Sequence, residues 1–93
     1  MRIVTKHPIS YPQSEIWLPT DAEIIGLGEQ FGVIHLFVIG SPGSTRQFTI
    51  LGIATGMMLP RDDLFHIGSL FVSAAGTEWH FFVPTPELFQ ESQ

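Results

Sequence analysis

The 93-residue chain carries 13 charged side chains, four basic and nine acidic, for a net charge of −5 and a mean hydropathy of +0.26. Charged residues usually make up about a quarter of a chain, so a small domain of this composition leaves apolar surface that a second chain can cover. Four scattered bases (Arg2, Lys6, Arg46 and Arg61) argue against sequence-independent binding to duplex nucleic acid, which needs clustered cations, and the lack of cysteine excludes disulfides and thiolate metal sites.

Residues 2–7 alternate weakly and read as an opening strand that His7-Pro8 ends or distorts, because proline cannot donate to a ladder. Tyr11-Pro12-Gln13-Ser14 reads as a turn-rich connection, and residues 15–18 as a short second strand stopped by Pro19-Thr20-Asp21. Residues 22–30 give a third strand, with Ile25 and Leu27 on one face and Ile24 on the other. Gly26 and Gly28 inside it mark a bulge, a bend or a close backbone approach. Phe31-Gly32 turns the chain into residues 33–39, where Val33, His35, Phe37 and Ile39 alternate with Ile34, Leu36 and Val38. A strand apolar on both faces belongs in the middle of a sheet or in an interface. Pro42-Gly43-Ser44 separates it from a fifth run, Arg46 to Ile53, and the two runs read as a β-hairpin.

The segment ATGMMLPRDD reads as a loop with at most one helical turn near residues 60–63, where proline and aspartate suit a helix start. Residues 64–73 form a sixth strand, with Phe65, Ile67 and Phe71 on one face and Leu64, Leu70 and Val72 on the other. After a turn at Ala74-Ala75-Gly76, residues 77–83 point Glu78, His80 and Phe82 one way and Trp79, Phe81 and Val83 the other. Pro84 and Pro86 end regular structure and leave residues 84–93 as a tail or short docking segment. Seven short strands at roughly ten-residue spacing predict a single all-β domain, residues 1–93, built as a mostly antiparallel meander, sandwich or small barrel. No apolar run approaches the ~20 residues of a membrane span, and the first ten residues lack the pattern of a signal peptide. The expectation is a soluble intracellular protein.

Few residues announce chemistry. His35, His66 and His80 fall on predicted strands, where three imidazoles can converge on zinc, but their spacing fits no ligand signature. Strand histidines are more often hydrogen-bonded residues of a half-buried face, so no metal or other cofactor is expected. No serine sits in a nucleophile elbow, and adjacent Asp62 and Asp63 point apart on most backbones, so no enzyme activity is expected. Gly52-Ile53-Ala54-Thr55-Gly56 can present successive N–H groups to an anion, with Arg46 before it and Arg61 after it, or its glycines can simply let a strand leave its sheet. The aromatics Tyr11, Trp17, Trp79, Phe81 and Phe82 read as core by default. Trp79-His80-Phe81-Phe82 nevertheless places rings on both faces of one strand, so one face packs on a second sheet, a neighbouring subunit or a stacked ligand. The expected ligand site comprises Arg46, Thr55, Gly56, Arg61, Trp79 and His80, holding a small anionic, nucleotide-like molecule. A homo-oligomer is expected, with Trp79 and Phe81 at its interface.

The order of features resembles a small uncharacterised domain family of tailed bacteriophages and prophages. The pieces that carry the resemblance are Lys6-His7-Pro8-Ile9, Ile16-Trp17-Leu18-Pro19 and Asp21-Ala22-Glu23-Ile24, followed by Arg46 to Leu51, Gly52 to Gly56, Ile67-Gly68-Ser69 and Trp79-His80-Phe81. They span nearly the whole chain. The loop Gly52 to Gly56 is longer than the family's compact turn, and Met57-Met58 stands where a histidine–proline is usual. The resemblance implies a phage origin, an all-β fold and residence in the cytoplasm of an infected host, and it supplies no known activity. Phage accessory proteins of this size act by occupancy, so the expected function is to counter host defence by sequestering a small signal molecule. The alternatives are an inhibitor that blocks a host defence protein and a virion-associated structural protein.

Overall fold

The period-2 alternation of apolar residues becomes seven strands in the computed structural model, which describes residues 1–88. In chain order they are β1 (Ile3–Ile9), β2 (Gln13–Pro19), β3 (Glu23–Gln30), β4 (Val33–Gly40), β5 (Thr45–Ala54), β6 (Leu64–Val72) and β7 (Thr77–Pro84). A single helical turn, α1 (Thr85–Leu88), follows. All pairings are antiparallel. One sheet has the order β1-β4-β3 and the other β2-β5-β7-β6, and their inner faces share one core. The fold is an all-β sandwich. No described helix is long and apolar enough to cross a membrane.

The core forms where the alternation is cleanest. Ile34, Leu36 and Val38 of β4 face Phe48 and Ile50 of β5 and Phe81 and Val83 of β7, all at most 2% exposed. Burying each such side chain contributes about 1.5–3 kcal/mol. Phe81 therefore lies at the centre of the molecule, not at a subunit interface, because its strand turns it inward with Val83.

Several expectations are corrected by the pairing. The runs around Pro42-Gly43-Ser44 do not form a hairpin: β4 pairs with β1 and β3, whereas β5 pairs with β2 and β7. The intervening turn carries the chain from one sheet to the other. The adjacent hairpins are β3–β4, joined by Phe31-Gly32, and β6–β7, joined through Gly76. Pro8 does not end β1 but lies opposite His35, and the strand continues to Ile9. The edge position of β1 explains this, since an edge proline need not donate to a neighbour. β2 begins at Gln13, earlier than expected, after a cis Tyr11-Pro12 bond.

Two bulges shift the faces. The register slips between Ile24 and Gly26, so Ile25 is the extra residue; it is exposed while both Ile24 and Leu27 pack on the core. The same happens between His66 and Gly68, which turns Ile67 onto the core and leaves Phe71 outside. A bulge reverses the alternation beyond it, which strict period-2 reading cannot anticipate. No helical turn forms at residues 60–63; the turn of helix lies at Thr85–Leu88 instead. Asp63 is engaged otherwise, its carbonyl accepting from the Thr85 amide at 2.7 Å and its carboxylate from Arg61. Within the expected C-terminal segment, Leu88 packs on the core and Glu87 Oε1 accepts from the Thr49 amide at 2.7 Å. Residues 89–93 lie outside the described residues.

Candidate ligand cleft

The two bulged strands meet at one seam of the sandwich. Gly68 of β6 sits against Leu27 of β3, so close that a Cβ there would lie 2.7 Å from Leu27 Cδ1. At one end of this seam opens a cleft of about 620 Å³, within the range typical of small-molecule sites. Ile24, Ile67 and Leu88 give it an apolar floor, with the half-exposed ring of Phe65 beside them. Arg2, Asp21, Glu23 and His66 supply its polar groups.

The turn after β2 builds one rim. Asp21 Oδ1 accepts from the Ser41 amide at 2.9 Å and Oδ2 from the Ser41 hydroxyl at 2.6 Å. These two bonds, the hydroxyl first, hold the Asp21 carboxyl below its ordinary value, with a smaller contribution from Arg2. Because Ser41 occupies both oxygens, Arg2 is left with long contacts: Nε lies 3.7 Å from Oδ2, and Nη2 donates to the Asp21 carbonyl at 3.3 Å. An exposed pair of this kind holds the guanidinium only weakly. It can turn to an anion in the cleft.

The other rim ends in a polar chain on the outer face of the β2-β5-β7-β6 sheet. His66 Nε2 lies 2.8 Å from Ser69 Oγ, Ser69 Oγ 2.7 Å from His80 Nδ1, and His80 Nε2 2.7 Å from Thr55 Oγ1. Donor counting gives one self-consistent direction. The Thr55 hydroxyl donates to the Glu78 carbonyl at 3.4 Å and so accepts from His80 Nε2–H. His80 Nδ1 then accepts from Ser69, which accepts from His66 Nε2–H. The His66 ring also leans on Phe82, centroids 5.3 Å apart. β6, β7 and the turn after β5 are thereby linked to the cleft through one imidazole.

The structure divides the residues expected to form the ligand site. Thr55 and His80 touch each other, and Gly56, with φ of +95°, completes the turn beside Thr55. Trp79 lies on the opposite face of β7 from His80. Its ring packs tilted against Tyr11, centroids 4.8 Å apart, and lines a separate apolar hollow of about 200 Å³ with Gly52, Met57 and Met58. Arg46 lies over the Phe48 ring, 4.0 Å from its centroid. It is eight residues along β5 from Ala54, roughly 26 Å at ~3.3 Å per residue. Arg61 sits beyond the loop with its fork closed on Asp63, whose carboxyl it lowers; Nη2 donates to Oδ2 at 2.6 Å. One chain therefore does not bring Arg46, Arg61 and the Thr55-Gly56 turn together. Gly52 is buried in β5 under Tyr11, Trp79 and Phe81, where a Cβ would come within 3.3 Å of each, so packing accounts for it.

His35 belongs to the other sheet and does not join His66 and His80. Among the described residues, no three histidine, aspartate or glutamate side chains are grouped to hold a metal ion. Sequence reading did not bring Arg2, Phe65 and His66 together at one cleft, nor join Ser69 to His80. The signal for Ser69 was present: folding residues 64–73 onto 77–83 around Gly76 sets it opposite His80. Comparison with protein-family models, curated proteins and solved structures finds no match for the chain.

Proposed function

We propose that the chain is a non-enzymatic binding domain that takes a small anionic, nucleotide-like molecule in the β3–β6 cleft. The observation that carries this reading is the cleft itself: an apolar floor, one aromatic wall and convergent polar groups of both signs. A planar base stacks on Phe65, where ring faces attract at 4.5–7 Å. Its N–H groups meet Glu23, while the anionic group takes Arg2 and the Nδ1–H of a doubly protonated His66, whose Nε2–H stays with Ser69. The chain's net charge of −5 does not oppose this, because one phosphate needs only a few donors, whereas a polymer needs an extended basic face. In the phage setting that the sequence resembles, such binding sequesters a signal molecule within the infected cell.

Calorimetric titration with cyclic and linear nucleotides tests the reading. At least one should bind below about 100 micromolar, and Arg2→Ala, Phe65→Ala and His66→Ala should each weaken it about tenfold. Arg46→Ala, distant from the cleft, should leave affinity unchanged. If no nucleotide binds, or if binding ignores Arg2 and His66, the cleft is not the site.

A further inference from the structure

The two outer faces of the sandwich differ in a way that points to a partner. An antiparallel sheet with one buried face normally presents polar residues on the other. The β2-β5-β7-β6 sheet departs from this with Trp17 and Phe71, 62% and 57% exposed, but the formal charges beside them, Glu15 and Glu78, are both acidic, so a second copy would set like charges together. The β1-β4-β3 sheet departs from it with charges of both signs. On its outer face, opposite the buried Ile34, Leu36 and Val38, stand Val4, Val33, Phe37 and Ile39, with the bulged Ile25 at its edge. Val4 is 62% exposed, Ile25 49% and Val33 43%. The outward positions of its ladder carry two formal charges, Lys6 and Glu23, one on each flanking strand; Glu29 alternates to the other side, opposite Ile34.

We infer that this face binds the same face of a second copy, forming a two-fold dimer by stacking sheet on sheet. The face shares Glu23 with the rim of the ligand cleft, so the dimer is tested by mass in the absence of ligand. Edge-to-edge pairing is disfavoured, because Pro8 interrupts the donors of β1 and the bulge at Ile25 distorts β3. Face-to-face stacking meets no such obstacle.

The placement of the charges selects a symmetry. Lys6 reaches across β4 and donates through Nζ to Gln30 Oε1 at 2.8 Å. Gln30 pairs with Val33 and Glu23 with Ile39, so the ammonium sits at one end of β3 and the carboxylate at the other. The six ladder positions between them span roughly 20 Å. A two-fold axis running across the strands at the level of Leu36 exchanges those two ends. Each ammonium then lies over the partner copy's β3 carboxylate, Val33 stacks on the copy of Ile39, and Phe37 on the copy of His35. The face is self-complementary in both charge and shape, as an isologous contact requires.

Three strands of about eight residues make a face of roughly 26 by 14 Å. Stacking two removes on the order of 1,000 Å² of accessible surface in total, at the low end for specific association. The dimer is accordingly expected in the micromolar range.

Sedimentation equilibrium from about 1 to 200 micromolar tests this on the full chain. The mass should rise from 10.4 kDa toward twice that value. Val4→Glu and Val33→Glu, both at exposed positions, should weaken the association at least tenfold while keeping the β-rich circular dichroism. Lys6→Glu alone and Glu23→Lys alone should also weaken it, and the double exchange should restore it, which a misfolded variant could not do. A mass of 10.4 kDa at every concentration overturns the inference, as does a dimer indifferent to Val33→Glu or a charge exchange that restores nothing.

Discussion

At the scale of single residues, hydrogen bonds between distant turns tie the sandwich together, and one histidine makes its stability depend on pH. Asp21 clamps the turn after β2 to the turn after β4 through Ser41, while the Thr20 amide donates to the Ser44 carbonyl at 3.1 Å. His7 behaves differently. It is half-buried on β1, its Nε2 lies 2.8 Å from Thr5 Oγ1, and burial lowers its pKa below the ordinary 6.5. The folded state therefore binds a proton less readily than the unfolded chain. Its contribution is complete above about pH 6.5 and is lost as the pH falls from there through the folded value. His7→Gln, which cannot be protonated, should flatten the fall in urea midpoint between pH 7 and pH 5. An unchanged slope in that variant would assign the acid sensitivity to other groups.

At the scale of elements, the sequence was legible wherever alternation ran uninterrupted. β7 shows its two faces directly in the order of residues, β4 shows two apolar sets without saying which turns inward, and the Gly26 region announced its bulge. What sequence could not reveal was pairing. The Pro42-Gly43-Ser44 turn looks like a hairpin turn, yet whether two consecutive strands pair or diverge into separate sheets depends on partners far along the chain. The same limit hid the cleft, because Arg2, Glu23 and His66 become neighbours only when β3 and β6 meet. Trp17 shows the limit for core assignment: its size suggested burial, but alternation with buried Leu18 leaves it 62% exposed. The β3–β4 turn adds a local conflict. Phe31 and Gly32 have φ of +54° and +79°, the two positive values of a type I′ turn, and Phe31 is 99% exposed. Phenylalanine gains no burial there and pays for a left-handed backbone that asparagine tolerates. Phe31→Asn should therefore stabilise the fold by on the order of 1 kcal/mol, read as a higher urea midpoint. A lower midpoint would mean that the exposed ring makes a contact elsewhere, as in an assembly.

At the scale of the whole molecule, the two sheets share one core and should unfold together. Only β3–β4 and β6–β7 pair in sequence order; every other pairing joins distant segments, so neither sheet can be completed from one contiguous stretch of chain. Leu36 from one sheet and Phe81 from the other are both fully buried in the common cluster. Truncating Phe81 to alanine should cost about 3–5 kcal/mol and truncating Leu36 about 2–5, large fractions of the ~5–15 kcal/mol that holds a domain folded. Two probes report on the transition. Tryptophan fluorescence follows the four-stranded sheet, which carries both Trp17 and Trp79, and far-ultraviolet circular dichroism follows all strands. For a single cooperative unit the two urea transitions coincide in the parent. Leu36→Ala, although it removes atoms only from the three-stranded sheet, should then shift the tryptophan transition as far as the dichroism transition. If Leu36→Ala moved the dichroism curve and left the tryptophan curve in place, the sheets would be separate folding units. The shared core would then be a contact between them rather than the reason both exist.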